Sequence, residues 1–427
     1  MKAVISHRIY LEVTKEYKDV LSKELTYKVP SQKPNAPPQI IKNMARIRSN
    51  LVSIPIGRTD LIPDDYEVVD RRIEKPIEFP EFKFALRESQ QEVYDQIEDN
   101  AIINAWVSWG KTFTGLAIAG KLGQKTLVVV HNTSLRDQWI EETEKVYGFK
   151  PGIIGGGVFD IDAPIVIGNV QSLYRRITEI QKEFGTVILD EMHHVSSATF
   201  SRILDTNYAR YKIGLSGTIE RKDGKHVVFR DYFGSKIFKP PKENFMTPSV
   251  DIARTQIRFM DGNRTPWAYR VTALTNNDEY RHLVSMLAAA YAAKGHKVLV
   301  VSDRVHFLKV CADLVGESAV CVTGEDKGED RKTLINSVLK GNKSVLFGIQ
   351  SIFAEGISVN NLSCLILATP VNNDPLLTQL IGRVIREYTG KLSPKIVDIH
   401  LKGNTATRQA SNRMGYYIRQ GYAIREL

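Results

Sequence analysis

The hydrophobic rhythm of the chain changes twice. Over residues 1–80 apolar and polar positions alternate in short runs, such as Ile5-Ser6-His7-Arg8-Ile9-Tyr10-Leu11-Glu12-Val13. Prolines at 30, 34, 37, 38, 55, 63, 76 and 80 separate these runs. Period-two alternation predicts half-buried strands, and proline confines them to edges and ends. A small strand-rich domain with an extended connector is expected there. From about residue 81 the apolar positions bunch together instead, at Ala101–Ile103, Leu127–Val130, Ile165–Ile167, Val187–Leu189 and Ile213–Leu215. Short β-branched runs between helical stretches predict parallel strands covered on both faces. After a polar, irregular stretch near 240–280 the rhythm returns at Val298–Val301, Ala319–Val322, Val345–Phe347, Cys364–Leu367 and Ile396–Ile399. The predicted fold is α/β. Two doubly wound parallel-sheet domains, 81–245 and 246–427, follow the strand-rich domain at 1–80.

A length of 427 residues suits two or three domains. The chain shows neither an apolar run of the roughly 18 residues that cross a bilayer nor a signal-peptide start. A cytoplasmic, membrane-independent protein is expected. Cys311, Cys321 and Cys364 are far apart and form no CxxC pair, so buried reduced thiols are expected rather than zinc ligands or disulfides. The net charge is +10, and Lys and Arg outnumber acids over Arg383–Leu427. Such a stripe is the footprint of a polyanion partner, although a solvated basic face accounts for it equally well.

Three sites carry chemistry. Ala105-Trp106-Val107-Ser108-Trp109-Gly110-Lys111-Thr112 lies between a strand and a helix, where backbone N–H groups and a helix N-terminus can face phosphates. Lys111 is placed to neutralise β- and γ-phosphates, and Thr112 to offer its hydroxyl to Mg²⁺. Ala105 and Ser108 replace the usual glycines, and Trp109 stands where a small residue is usual. Asp190-Glu191-Met192-His193 follows a buried strand, the end at which α/β sheets bind ligands. Asp190 is expected to hold Mg²⁺ and Glu191 to orient or deprotonate the attacking water. In Gln379-Leu380-Ile381-Gly382-Arg383-Val384-Ile385-Arg386, helical spacing puts 379, 383 and 386 on one face. The arginines are candidates to stabilise phosphoryl transfer.

Together these sites resemble the superfamily 2 DExH-box helicases, with motifs in order over roughly residues 84–427. Arg87 and Gln90 are similar to the adenine-reading Q motif, and residues 105–112 to motif I. Asn132 to Trp139, with Arg136, resembles motif Ia, and Asn169 with Gln171 resembles motif Ic. Asp190 to His193 matches motif II, and Ser216-Gly217-Thr218 stands where motif III does. Ser302 and Arg304 fit motif IV, Thr323 motif IVa, Ser351 to Gly356 motif V, and Gln379 to Arg386 motif VI. The details lean towards DNA enzymes of the UvsW and XPB kind. The resemblance implies two RecA-like domains with ATP and Mg²⁺ held between them. Arg87, Gln90, Ser108, Trp109, Gly110, Lys111, Thr112, Glu355 and Gly356 would bind the nucleotide. Asn132, Arg136, Asn169, Gln171, Ser302, Arg304, Thr323 and Ser351 would hold forked, branched or single-stranded DNA. The implied protein is a monomeric, ATP-dependent DNA helicase or branch-migrating enzyme. A translocase that leaves strands paired and a non-hydrolysing DNA scaffold are the alternatives.

Overall fold

The computed structural model describes residues 1–30, 37–192, 198–217, 225–243, 245–262, 265–326, 328–354, 357 and 359–427. The chain forms two compact units, Met1–Lys242 and Glu243–Leu427. No helix among the described residues is long and apolar enough to cross a membrane.

The first unit holds two main sheets. The N-terminal one has five strands in the order Ala45–Arg48, Leu51–Ile54, Ile9–Glu12, Lys2–Ile5, Glu67–Asp70. The alternating run at 5–13 is divided between two of these strands, which pair as a hairpin with Ile5 opposite Ile9. Its inward side chains, among them Ala3, Ile9, Leu11, Val52 and Ile54, pack on Leu21 of the helix Lys15–Glu24. This sheet is fastened to the rest of the unit by a buried polar cluster. Asp231, fully buried, accepts from the Tyr27 hydroxyl at 2.8 Å and from the Asn43 amide. Arg58, 2% exposed, reaches Asp231 at 3.6 Å while also pairing with Glu24 and Asp60. Arg8 adds an ion pair to Asp205 at 2.7 Å.

The second sheet of the unit has eight strands. Its centre runs Ile165–Asn169, Thr126–Val130, Thr186–Leu189, Tyr211–Ser216, Ala101–Asn104, all parallel. These are the five apolar runs expected there. Burial on both faces explains their lack of alternation. The parallel register puts their C-terminal ends on one edge, from which the loops at 105, 131 and 190 emerge.

The second unit is built on seven strands, in the order Ala319–Val322, Val345–Ile349, Val298–Ser302, Cys364–Leu367, Lys395–Lys402, Ser249–Arg258, Ala423–Glu426. Every pair in it is parallel. The ten-residue strand Ser249–Arg258 lies in the stretch expected to be irregular. Its buried Asp251 is accommodated by the Tyr291 hydroxyl and by Lys395. Cys311 and Cys364 are buried and Cys321 is partly so; burial pushes the Cys311 thiol up to about 11 and the Cys321 thiol up to about 12.

Candidate nucleotide and nucleic-acid sites

The loop 105–110 leaves the strand Ala101–Asn104 and enters the helix Lys111–Leu122. Gly110 turns the chain at φ +93°, and a Cβ there would meet the Gln90 amide nitrogen at 2.7 Å. Ser108 also adopts positive φ, at 71°, a strained geometry of the kind found in ligand clamps. The N-cap position is Gly110, which has no side chain to cap the helix, and a helix N-terminus of this kind suits an anion. Lys111 folds back over the loop, its Nζ donating to the Ala105 carbonyl at 3.2 Å. Thr112 Oγ1 accepts from Gln138 at 3.4 Å.

Trp109 departs from the usual small residue because it is a structural plug. It is fully buried, and its Nε1 donates to Ser89 Oγ at 2.8 Å. Its carbonyl accepts from Arg87 and, at 2.8 Å, from Gln90 Nε2. The Gln90 Oε1 in turn accepts from the Arg87 N–H at 3.0 Å. Arg87 and Gln90, expected to read a base, therefore brace the loop 105–110 in this structure. A further contact had no sequence signal: Lys242 Nζ sits 3.9 Å from the centre of the Trp106 ring. That residue is distant in sequence, and only the fold brings it to the loop.

Asp190 follows the strand Thr186–Leu189 and is buried. Its carboxylate accepts from Trp139 Nε1 at 2.8 Å and from the Glu191 N–H at 2.9 Å. Burial pushes the carboxyl up and the neighbouring Glu191 adds to this, while Trp139 and Lys111 oppose them. Glu191 takes positive φ, 49°, which turns it sharply out of the strand. A buried carboxylate that gains from a cation, a nearby ammonium and a glycine-turned cradle fit a magnesium-bound nucleotide phosphate. Lys111, Thr112 and Asp190 are the residues that would hold it. His193 and Thr218 lie outside the described residues.

The candidate nucleic-acid residues divide into two groups. Gln171 and Ser351 are exposed, and Arg136 and Arg304 are partly so, each paired to a neighbouring acid, Asp137 and Asp303. Asn132 caps the helix Thr133–Tyr147 by accepting from Leu135 N at 2.8 Å, and Asn169 stands at the start of the helix Val170–Arg175. Ser302 and Thr323, by contrast, are buried. Ser302 Oγ accepts from Arg304 N, and Thr323 from Glu325 N while donating to Asp326. These two hydroxyls shape loop ends rather than face solvent, a correction to the expectation of direct contact. Glu355 and Gly356 lie outside the described residues.

In the second unit the helix Asp374–Val384 buries Leu380, Ile381 and Val384 and leaves Gln379 and Arg383 partly exposed on one face. Arg386 does not share that face, contrary to expectation. The helix ends at Val384, and the Ile385 carbonyl accepts from Met246 N at 2.7 Å. Arg386 then pairs as an antiparallel bridge with Phe245. Its guanidinium reaches Asn360 at 3.3 Å, while Arg383 donates to the Ala354 carbonyl. The basic C-terminus is also partly structural. Arg413 is buried and makes two bonds to Asp398 at 2.9 and 2.7 Å, and the Tyr417 hydroxyl donates to the same carboxylate at 3.1 Å.

Residues 83–221 match the family model described as type III restriction enzyme, res subunit, and residues 278–387 match the helicase conserved C-terminal domain. The chain is 42% identical to the probable helicase D10 of Escherichia phage T5, over 99% of this chain and 95% of that protein. It belongs to the superfamily 2 helicases. Two other relatives of this superfamily 2 helicase bear names that differ in substrate. The putative ATP-dependent RNA helicase L396 of Acanthamoeba polyphaga mimivirus is 26% identical over 93% of this chain and 81% of its own. The ATP-dependent DNA helicase uvsW of Enterobacteria phage T4 is 25% identical over 68% and 62%. In fold, the helicase is similar to S. cerevisiae Dbp5 bound to RNA and ADP BeF3, with TM-score 0.59, 12% identity, and 79% and 89% of the two chains covered.

Proposed function

We propose that this ATP-dependent helicase acts on DNA, unwinding or branch-migrating forks and junctions in replication, recombination or repair. The observation that carries the motor part is the edge of the first parallel sheet. There Lys111, Thr112, Asp190 and Glu191 converge beside a helix start whose N-cap is a glycine. The likeness to a phage DNA helicase supports DNA as the substrate.

In this reading Lys111 releases the Ala105 carbonyl and turns to the phosphates. Thr112 and Asp190 would hold Mg²⁺, which when bound would supply positive charge to the phosphoryl oxygens. Glu191 orients the attacking water and accepts its proton. Arg383 and Arg386 balance the charge that develops on the transferred group, and Gln379 helps to position the water. The exposed members of the nucleic-acid set hold the backbone without reading sequence. Residues 1–80 form an accessory domain that meets the duplex arm.

Strand displacement on forked and four-way DNA, beside an RNA duplex of the same sequence, tests the reading. ATP-dependent displacement of DNA with little action on RNA is expected. Displacement of RNA alone overturns the DNA assignment, and DNA-stimulated hydrolysis without displacement points to a translocase.

A further inference from the structure

A groove of about 730 Å³ in the second unit lies at the C-terminal ends of Ser249–Arg258 and Lys395–Lys402, against the helix Asn404–Arg419. Arg254, Arg258, His400 and Lys402 line it together with the hydroxyls of Thr407 and Ser411. Cations interleaved with small donors match the chemistry of a phosphodiester backbone. Not all of this charge is uncommitted. Arg254 is paired with Glu426 at 2.6 Å, and Asp261 accepts from the first amides of the helix, Asn404 and Thr405. The helix start is therefore already capped. Arg258, with 78% of its side chain exposed, lies only at 4.0 Å from Asp261. Lys402 is exposed, and among the described residues it has no ion-pair partner. His400 Nε2 is buried and lies 3.7 Å from an Asp398 carboxylate oxygen, so this ring is also turned towards an acid.

Position in the sheet adds an independent argument. Every strand is parallel, so this groove opens on the same edge as the segments holding Ser302–Arg304, Thr323 and Ser351, which follow the ends of three other strands. Lys395–Lys402 lies two strands from Val298–Ser302, and Ser249–Arg258 lies three. At about 4.8 Å per strand that is roughly 10–15 Å. One strand of a duplex places about three to four phosphates over such a span.

We infer that the groove is a second backbone-binding site that extends the nucleic-acid track across this sheet edge, with Arg258 and Lys402 as its phosphate contacts. This rests on the proposed reading of the protein as a DNA motor. The test measures binding of labelled single-stranded and duplex DNA to the full chain across a salt series. Arg258→Gln/Lys402→Gln should weaken binding and flatten the log–log slope on duplex by about 1.8, two contacts at about 0.9 each. Arg419→Gln lies on the last turn of the same helix, outside the groove, and should leave the slope unchanged. An unaltered slope in the double variant overturns the inference, as does an equal change in Arg419→Gln, which would reflect bulk charge. Inorganic phosphate that competes for the groove while the DNA slope stays the same would mark a small-anion site instead and also overturn it. Failure of the wild-type chain to bind DNA would sink the DNA-motor reading, a result separable from all of these.

Discussion

Trp139 donates its indole N–H to Asp190 at 2.8 Å, and both residues are buried. The bond favours the carboxylate form against burial and against the neighbouring Glu191, the two influences that push the carboxyl up. Trp139→Phe removes the donor and keeps the ring. The Mg²⁺ concentration for half-maximal ATPase should rise by on the order of 10-fold, as for other outer-shell partners of metal ligands. The deficit should shrink as pH rises, because the metal binds the deprotonated acid, whose pKa the mutation raises further. A magnesium titration at several pH values decides it. An unchanged midpoint would remove Asp190 from the metal site.

Glu191→Gln should abolish turnover while ATP and DNA binding stay close to wild type. The amide keeps the shape but cannot accept the proton of the water. Substantial DNA-stimulated hydrolysis by this variant would exclude the role.

Arg383 and Arg386 now make separable predictions, since only the first lies on the helix. A residue that stabilises the transferring phosphoryl group should lower kcat by about 10³-fold or more when changed to Ala, with far less effect on ATP affinity. Lost affinity with unchanged turnover per bound ATP would instead mark a ground-state ligand. Single-turnover kinetics beside equilibrium nucleotide binding separate the two.

Arg413→Met tests whether the basic C-terminus is packing or contact. Asp398 is buried, which alone raises its pKa, but Arg413, with His400 beside it, brings it down to about 2. The native pKa is thus below the unfolded value. The stabilisation is complete above the ordinary carboxylate range and is lost as pH falls from about 4 towards 2. Removing the arginine strands a buried charge, a loss of about 3–5 kcal/mol at neutral pH. Denaturant melts should show that loss shrinking in acid, with little change in DNA salt slope.

The legible part of the chain was its parallel sheets. Val298-Leu299-Val300-Val301 and its counterparts are short, branched and apolar because both faces are covered, and that pattern survives without any partner information. Ser249–Arg258 was not legible, because its Asp251 is neutralised by Tyr291 and Lys395, residues far away in sequence. The turn between the strand Ala101–Asn104 and the helix Lys111–Leu122 could be located from Gly110, Lys111 and Thr112. Its bracing by Arg87 and Gln90 could not, since the same residues read equally well as base contacts. Ser302 and Thr323 show the same limit: hydroxyl type and position give no sign of whether the group points outward or caps its own loop.

The N-terminal sheet supplies the last prediction. Asp231, in the first motor fold, is buried under Tyr27, Asn43 and Arg58. A chain starting at Glu81 exposes this carboxylate and the apolar surface around it. It should lose stability and ATPase on every DNA, rather than only on junctions. Arg58→Met in the full chain should cost about 3–5 kcal/mol in denaturant melts. If the shortened chain keeps single-strand-stimulated ATPase, the cluster is dispensable to the motor and the block acts through junction DNA alone.

Of the four tryptophans in the chain, Trp106 and Trp109 belong to the phosphate loop and Trp139 touches Asp190. Only Trp267 lies in the second unit. The near-ultraviolet emission of the unlabelled protein is consequently weighted towards one small region of the molecule. Trp106 carries the ammonium of Lys242 against its ring, and Trp139 and Trp109 are fixed by single hydrogen bonds from their indoles. A rearrangement of that loop should change the surroundings of Trp106 and Trp109 directly, while Trp139 reports on Asp190. Nucleotide exchange at the sheet edge should therefore shift the intrinsic tryptophan emission, with no dye attached.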